Sequence, residues 1–204
     1  NNDRLGSQYD PSLVRFCNGV ATWVRASSGL GLILPRVATV SIEPARVARA
    51  VIGHLLAAEP VRRARHEELG GDMPEAMRHY FMSSDQALPP TIRLVAWPYP
   101  RETIVIGRGI GRLDYPPGEP IVADVVKFFP VAFAVLSVER QQPLYEFLEI
   151  RPELADAADT PINVELPFHG VPPAEWPEHP GASGIVLLNW ERVIHATRKT
   201  ATAP

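Results

Sequence analysis

A chain of 204 residues can hold one domain with a sizeable core, or at most two small ones. Its 46% hydrophobic and 21% charged residues are ordinary for a globular protein, which excludes wholesale disorder. The formal net charge of −3 is far from the strongly basic balance of a dedicated nucleic-acid module.

The compartment and the start of the chain are constrained by what the sequence lacks. Cys17 is the only cysteine, which excludes an internal disulfide and a zinc site built from cysteine pairs within these residues. No apolar run approaches the roughly 18–20 residues needed to span a bilayer, and the polar start has no signal-peptide core. These features predict a cytoplasmic protein without membrane association. Because the chain does not begin with methionine, we expect it to belong to a longer reading frame.

The first predicted element is a helix that begins near Asp10. Asp10 can cap it, and Pro11 suits the first helical position, where its missing N–H is not needed. Apolar residues then recur at three- and four-residue spacing: Leu13, Phe16, Cys17, Val20, Ala21 and Val24. Gly29 can adopt the left-handed conformation that ends a helix. We interpret Cys17, which lies on this stripe, as a small buried hydrophobe.

More helices are predicted after an extended segment at 32–42. Pro44 opens the second helix. Its apolar face consists of Val47, Ala48, Val51, Ile52, Leu55 and Leu56. Residues 61–69 are predicted as a short helix, and Asp72 is expected to cap another helix that runs to about Met82.

The pattern changes to strands after residue 90. Four runs rich in Val and Ile are separated by turns with Pro and Gly, and they cover residues 91–99, 103–112, 121–129 and 131–138. Residues 144–150 read as a helical turn. The proline-rich stretch 151–184 reads as extended surface loop. The run 185–194 is ambiguous between strand and helix, and 198–204 is predicted to be a frayed tail.

The order of these elements predicts a single α+β domain over residues 1–204. Helices in the part up to about residue 85 are expected to pack on one face of a mostly antiparallel sheet. The strand- and loop-rich part, about 86–198, supplies that sheet and contains long Pro-rich loops. The alternation of strands and helices that is typical of a doubly wound sheet is absent.

No complete catalytic or metal-binding motif is present. The run Gly107-Arg108-Gly109-Ile110-Gly111 departs from the dinucleotide fingerprint in its glycine spacing, and Pro116-Pro117-Gly118 comes where a helix should begin. We interpret these glycines as strand or bulge positions. His169 and Glu175 leave open a small hydrolase or a loop metal site, which requires both to converge on a metal or a water molecule in a cleft.

The densest basic neighbourhood spreads over two adjacent predicted helices and consists of Arg46, Arg49, Arg62, Arg63 and Arg65. Arginines so placed can contact phosphates and position a nucleic acid without reading its sequence. No interleaved aromatic residues offer stacking platforms, which argues against specialised single-strand binding. A solvated helix face, with Arg46 and Arg49 on the side opposite the apolar stripe, is the simpler interpretation.

The start of the chain carries a resemblance. The run Asn1-Asn2-Asp3-Arg4-Leu5-Gly6-Ser7-Gln8-Tyr9-Asp10 is similar to the segment after the second zinc knuckle of bacterial HNH (His-Asn-His) endonuclease-like proteins. In those proteins a Cys-x-x-Cys pair precedes Asn-Asn, and a Gly and an acidic residue that opens a helix come next. The helix from Pro44 and the strands around Trp97 and 128–130 also resemble the region after the HNH module in some actinobacterial members.

This resemblance implies an upstream ββα-metal module with zinc knuckles, a divalent cation and a general-base His. None of those residues lies in this chain, so no catalytic or metal-ligating residue carries over, and zinc and the divalent cation are implied only for the upstream module. The leading hypothesis is a non-catalytic C-terminal companion domain of an HNH-like nuclease that positions DNA or RNA. The alternative is a ligand- or protein-binding module, with Trp97, Tyr99, Phe128 and Phe133 lining an apolar cavity.

Overall fold

Three α-helices and eight strands are described, together with a π-helical turn at Leu5–Tyr9 and a 3₁₀ turn at Pro152–Leu154. The computed structural model describes residues 5–29, 37–58, 72–83, 87–112, 121–137, 147–154, 159–169, 174–177 and 193–197. The helices are α1 (Asp10–Gly29), α2 (Pro44–Ala57) and α3 (Asp72–Met82). The strands are β1 (Val37–Ile42), β2 (Ile92–Pro98), β3 (Thr103–Arg112), β4 (Ile121–Phe128), β5 (Val131–Ser137), β6 (Leu148–Ile150), β7 (Ile162–Pro167) and β8 (Val193–Thr197). Within those ranges, no helix is both long and apolar enough to cross a membrane.

Six of the strands form the main sheet, in the order β6-β2-β5-β4-β3-β8, and every neighbouring pair is antiparallel. Strands β3, β4 and β5 follow one another as a meander, while β2 lies on the far side of β5. Strands β1 and β7 form a second, two-stranded antiparallel sheet. The α+β class and the mostly antiparallel sheet are thereby confirmed.

The helices cover one face of the main sheet, called here the inner face. Successive side chains of a strand point to opposite faces, so one set of alternate residues on each strand meets the helices. On β5 this set includes Phe133, which is fully buried and lies 6.1 Å, between ring centroids, from Phe16 of α1. Met77 and Tyr80 of α3 and Leu166 of β7 belong to the same core. Helix packing on one face of the sheet is therefore confirmed.

The opposite, outer face holds a second core. Its members come from the other set of alternate strand residues, together with three residues from outside β2–β5: Val95, Trp97, Tyr99, Ile110, Ala123, Val125, Ala132, Ala134, Leu136, Phe147 and Trp176. Both faces of the sheet are therefore buried, which explains why β2 is buried along its whole length. Three alanines at the centre of this face leave room for large aromatic side chains beside them.

Two segments differ from the sequence-based prediction, and a third is one that the sequence leaves open. Residues 148–150, expected within a helical turn, form the strand β6 on an edge of the main sheet. Residues 162–167, expected within a surface loop, form β7 and pair with β1. The run 185–194 is ambiguous in sequence, and its described end, from Val193, belongs to a strand, β8. The predictions for 61–69 and 198–204 lie outside the described residues.

The glycine-rich run in β3 is a β-bulge, as its interpretation predicted. Gly107 pairs with Val125 and Ile110 pairs with Ala123, so two residues of β3 oppose Asp124 of β4. Gly109 has a φ of 63°, a left-handed value that favours glycine. The extra residue shifts the alternation of β3, and Ile110 consequently joins the outer core.

A buried ion pair occupies the bulge and ties it to α2. The Asp124 carboxylate accepts hydrogen bonds from Arg108 Nε and from the Gly109 N–H, both at 2.7 Å. Arg108 also donates to the Leu55 carbonyl at 3.1 Å, in the last turn of α2, where a cation is favourable to the helix dipole. The bulge thus orients a charge pair that fixes the end of α2 on the sheet.

Candidate functional site

Arg46, the first of the predicted phosphate-contacting arginines, is half-buried and ion-paired. Its guanidinium lies 2.8 Å from Asp159 and 3.5 Å from Glu43, the residue that precedes α2. Both pairs are intramolecular, so a phosphate would have to compete with two carboxylates for this side chain. The other three arginines of this basic neighbourhood, which are Arg62, Arg63 and Arg65, lie outside the described residues.

Arg49 is not on a solvated side of α2, which corrects the sequence-based placement. It is only 5% exposed, and its guanidinium lies 4.3 Å from the centroid of the Tyr80 ring and donates to the Ser83 carbonyl at 3.1 Å. The reason is that α2 is covered on more than one side, by α1 and α3 as well as by the sheet. Arg49 therefore joins α2 to α3, and burial raises the pKa of the adjacent Tyr80 hydroxyl to about 12 although the Arg49 charge opposes this.

The described part of the segment that carries the family resemblance, from residue 5 onward, is built into the helical layer. Residues 5–9 run straight into α1, and Tyr9 is buried in an edge-to-face contact with Phe81 of α3. Asp10 is the first residue of α1, and its Oδ1 lies 3.0 Å from Nε2 of His54, in the last turn of α2. The start of α1 is thus held against the ends of two other helices.

Glu43 provides a second polar anchor for α1. Its carboxylate accepts a hydrogen bond from the buried Ser12 hydroxyl at 2.9 Å and also binds Arg15. Together with the Asp10–His54 contact, this joins α1 to α2 through residues near either end of α2. A displacement of the first turns of α1 would break both sets of contacts.

Neither a reactive thiol nor a metal centre is found in the described part of the chain. Burial raises the pKa of the Cys17 thiol to about 12, so the nucleophilic thiolate is suppressed, in agreement with its predicted role as a buried hydrophobe. No cluster of three or more His, Cys, Asp or Glu with metal-binding geometry exists among the described residues. Glu175 instead lies 2.6 Å from Arg101, and His169 is exposed.

The outer face of the sheet carries an aromatic cluster beside a buried cation. Trp97 of β2 lies 5.5 Å from Phe147 and 5.1 Å from Trp176, both in edge-to-face geometry. Lys127 of β4 is fully buried, and its ammonium lies 5.1 Å from the centroid of the Tyr99 ring. Tryptophan and tyrosine rings attract cations through their negative faces.

This cluster differs from the cavity that the sequence suggested. Trp97 and Tyr99 lie in the outer core, whereas Phe133 lies in the inner core and Phe128 packs against that core. The four residues cannot line one cavity, because the sheet separates them. Sequence reasoning missed Lys127, although one signal was available: it is a lone charge with Val126 and Phe128 on either side, in a strand of the central sheet.

A polar contact fixes the edge strand β6 to β2. Arg93, which is largely buried, donates two hydrogen bonds to the Glu149 carboxylate, at 2.8 and 2.7 Å, and Arg151 donates a third at 2.9 Å. Burial alone would raise the pKa of Glu149, but the hydrogen bonds and charges of Arg93 and Arg151 outweigh it and lower the pKa below its ordinary 4.5.

We expect this contact to make stability depend on pH on the acid side. A folded-state pKa below the unfolded value means that the stabilisation is complete above about 4.5 and is lost as the pH falls through the folded pKa. Glu149→Gln should therefore lose less free energy of unfolding than the wild type between about pH 6 and about pH 3. Urea titrations at each pH measure this, with the exposed Glu102→Gln as the control. Parallel pH profiles for wild type and Glu149→Gln would contradict the prediction.

Comparison with known proteins adds no constraint on the function: no protein-family model, no curated protein and no solved structure matches this chain.

Proposed function

We propose that this chain is a non-catalytic companion domain of an HNH-like zinc-knuckle nuclease that works in the cytoplasm and helps to position DNA or RNA. One observation carries the proposal. The last residue of the segment with the family resemblance, Asp10, contacts His54 in the last turn of α2, and Ala58, just beyond that helix, is four residues before Arg62. A module attached before residue 1 would consequently be held near the point where the chain enters its arginine-rich segment.

The surroundings of Arg46 and Arg49 indicate which of the five arginines are the better candidates for phosphate contact. Arg49 is buried against Tyr80, and Arg46 is paired with Glu43 and Asp159. Arg62, Arg63 and Arg65 are therefore the better candidates, with Arg46 in a supporting place. Each arginine that neutralises a phosphate of duplex DNA should add about 0.9 to the slope of log affinity against log salt concentration.

The test is a salt series of nucleic-acid binding by the purified chain, with single- and double-stranded DNA and RNA. We expect Arg62→Ala/Arg63→Ala to weaken binding and to reduce the salt slope by about 0.9 for each arginine that contacts a phosphate. The control is Arg25→Ala/Arg151→Ala, which removes the same charge from α1 and from the end of β6. Equal losses in both variants, or no binding at low salt, would overturn the nucleic-acid role. Zinc analysis of the full-length protein tests the knuckle module separately, and a metal-free protein would overturn that part.

A second function, ligand binding, is supported by a different observation. Lys127 is a fully buried cation on the same face of the sheet as Trp97, Tyr99, Phe147 and Trp176. A strand position between apolar neighbours would be filled at lower cost by an apolar side chain, because burying an ammonium costs several kcal/mol before compensation. Buried charged side chains of this kind are enriched at binding and catalytic sites.

A further inference from the structure

The strand register of the main sheet places an aromatic side chain and a cation on either side of an alanine on the outer face. Ala132 of β5 pairs with Trp97 of β2 on one side and with Lys127 of β4 on the other. Directly opposed residues of antiparallel strands point to the same face. Because neighbouring strands lie about 4.8 Å apart, the Cα atoms of Trp97 and Lys127 are about 10 Å apart. The methyl group of Ala132 is the floor between them, and we call this arrangement the Trp97–Lys127 slot.

A segment of the chain itself spans this slot. The Lys127 ammonium donates hydrogen bonds to the carbonyl oxygens of Ala174 and Trp176, at 2.6 and 3.1 Å. At the same time the Trp176 indole contacts Trp97, and its ring centroid lies 5.3 Å from that of Phe147. Residues 174–177, called the strap, therefore supply an aromatic ring to one side of the slot and two oxygen acceptors to the other.

Side chains tie the strap to the sheet. Besides Lys127 and the aromatic rings, the Glu175 carboxylate pairs with Arg101, but these two side chains are 46% and 55% exposed. Ion pairs this exposed contribute about 0–1 kcal/mol. The strap is therefore held mainly by the Lys127 hydrogen bonds and the ring contacts of Trp176, which are the contacts that a ligand can replace.

We propose that the Trp97–Lys127 slot is a binding site for a planar aromatic group that carries a carbonyl or carboxylate oxygen, and that Trp176 is its intramolecular occupant. The ring of the ligand replaces the indole beside Trp97 and Phe147, and its oxygen replaces the strap carbonyls as acceptor for Lys127. Binding lifts the strap and breaks the Arg101–Glu175 pair. This proposal rests on the second function above and is independent of nucleic-acid binding, whose test has a different readout.

Removal of the occupant tests the proposal directly. The probe is indole-3-acetamide, which joins an indole to a carbonyl, and its affinity is measured by isothermal titration calorimetry. Trp176→Ala should bind the probe at least about tenfold more tightly than the wild type, because the indole that competes for the space beside Trp97 and Phe147 is gone. Trp23→Ala, which removes the 39% exposed tryptophan of α1, is the matched control and should keep the wild-type affinity. Equal affinities of wild type and Trp176→Ala would overturn the proposal.

The role of Lys127 is tested in the same background. Trp176→Ala should prefer indole-3-acetamide over indole by about tenfold, since a hydrogen bond from a charged donor is lost with indole. The additional change Lys127→Met should abolish this preference. If Trp176→Ala binds both compounds equally, the slot does not select an oxygen acceptor and the proposal fails.

A second variant, which changes no core residue, tests the proposal even if Trp176→Ala does not fold. Arg101→Ala removes an exposed contact of the strap and leaves both cores intact. It should bind indole-3-acetamide about two- to fivefold more tightly than the wild type, because loss of the Arg101–Glu175 pair lowers the cost of opening the strap. An Arg101→Ala affinity no different from that of the wild type would show that Trp176 is a fixed core residue, which would overturn the proposal.

Discussion

Asp124→Ala is expected to lower the free energy of unfolding by about 3–5 kcal/mol, because it leaves a buried guanidinium without its carboxylate. Asp124 is 1% exposed and Arg108 is 9% exposed, so water cannot replace the lost partner without a rearrangement of the core. The Gly109 N–H loses its acceptor as well. Urea denaturation followed by far-ultraviolet circular dichroism measures the loss.

Two further variants separate the charge pair from other effects. Glu102→Ala removes an exposed carboxylate just before β3 and should change the free energy of unfolding by less than about 0.5 kcal/mol. The double variant Arg108→Met/Asp124→Leu should recover part of the loss, because it leaves no buried charge unpaired, although the Gly109 N–H and the Leu55 carbonyl still lose these hydrogen bonds. A loss below about 1 kcal/mol for Asp124→Ala would mean that Arg108 reaches another acceptor or water.

The secondary structure could largely be predicted from local patterns. Periodic apolar residues predict α1 and α2, the start signal at Asp72 predicts α3, and the runs of Val and Ile predict β2 to β5. The strand β7 could not be predicted in the same way. Its pairing with β1 joins residues more than a hundred positions apart, as in the pair of Val37 with Pro167, and prolines around it are typical of loops.

The candidate site was harder to predict, because it depends on which face of each helix or strand is covered by the rest of the fold. Arg49 looked solvated, since the helical period places it away from the apolar stripe, but α3 covers that side and buries it. Lys127 was missed for a related reason. A lysine is expected to be exposed unless it is paired, and the acceptors that compensate it come from residues 174 and 176, which no local pattern connects to β4.

A second substitution with a large expected effect on stability lies where α1 packs on the inner face. Phe133→Ala should lower the free energy of unfolding by about 3–5 kcal/mol, the usual range for truncating a buried phenylalanine. Phe133 is fully buried between Phe16 of α1 and Phe128 of β4, with ring centroids 6.1 and 6.0 Å away. The cavity left behind would lie between the helical layer and the sheet, where neither side can collapse freely.

A double-mutant cycle shows whether this ring joins α1 to the sheet. If Phe16 and Phe133 interact directly, the losses in Phe16→Ala and Phe133→Ala should differ from additivity by about 0.5–1.5 kcal/mol. Ile104→Ala, at a 37% exposed apolar position of β3, is the control and should cost less than about 1 kcal/mol. Strictly additive losses would mean that the two rings do not support each other. The inner core would then depend on α2 and α3 rather than on α1, and an anchored N-terminal segment would no longer imply a firmly held neighbouring module.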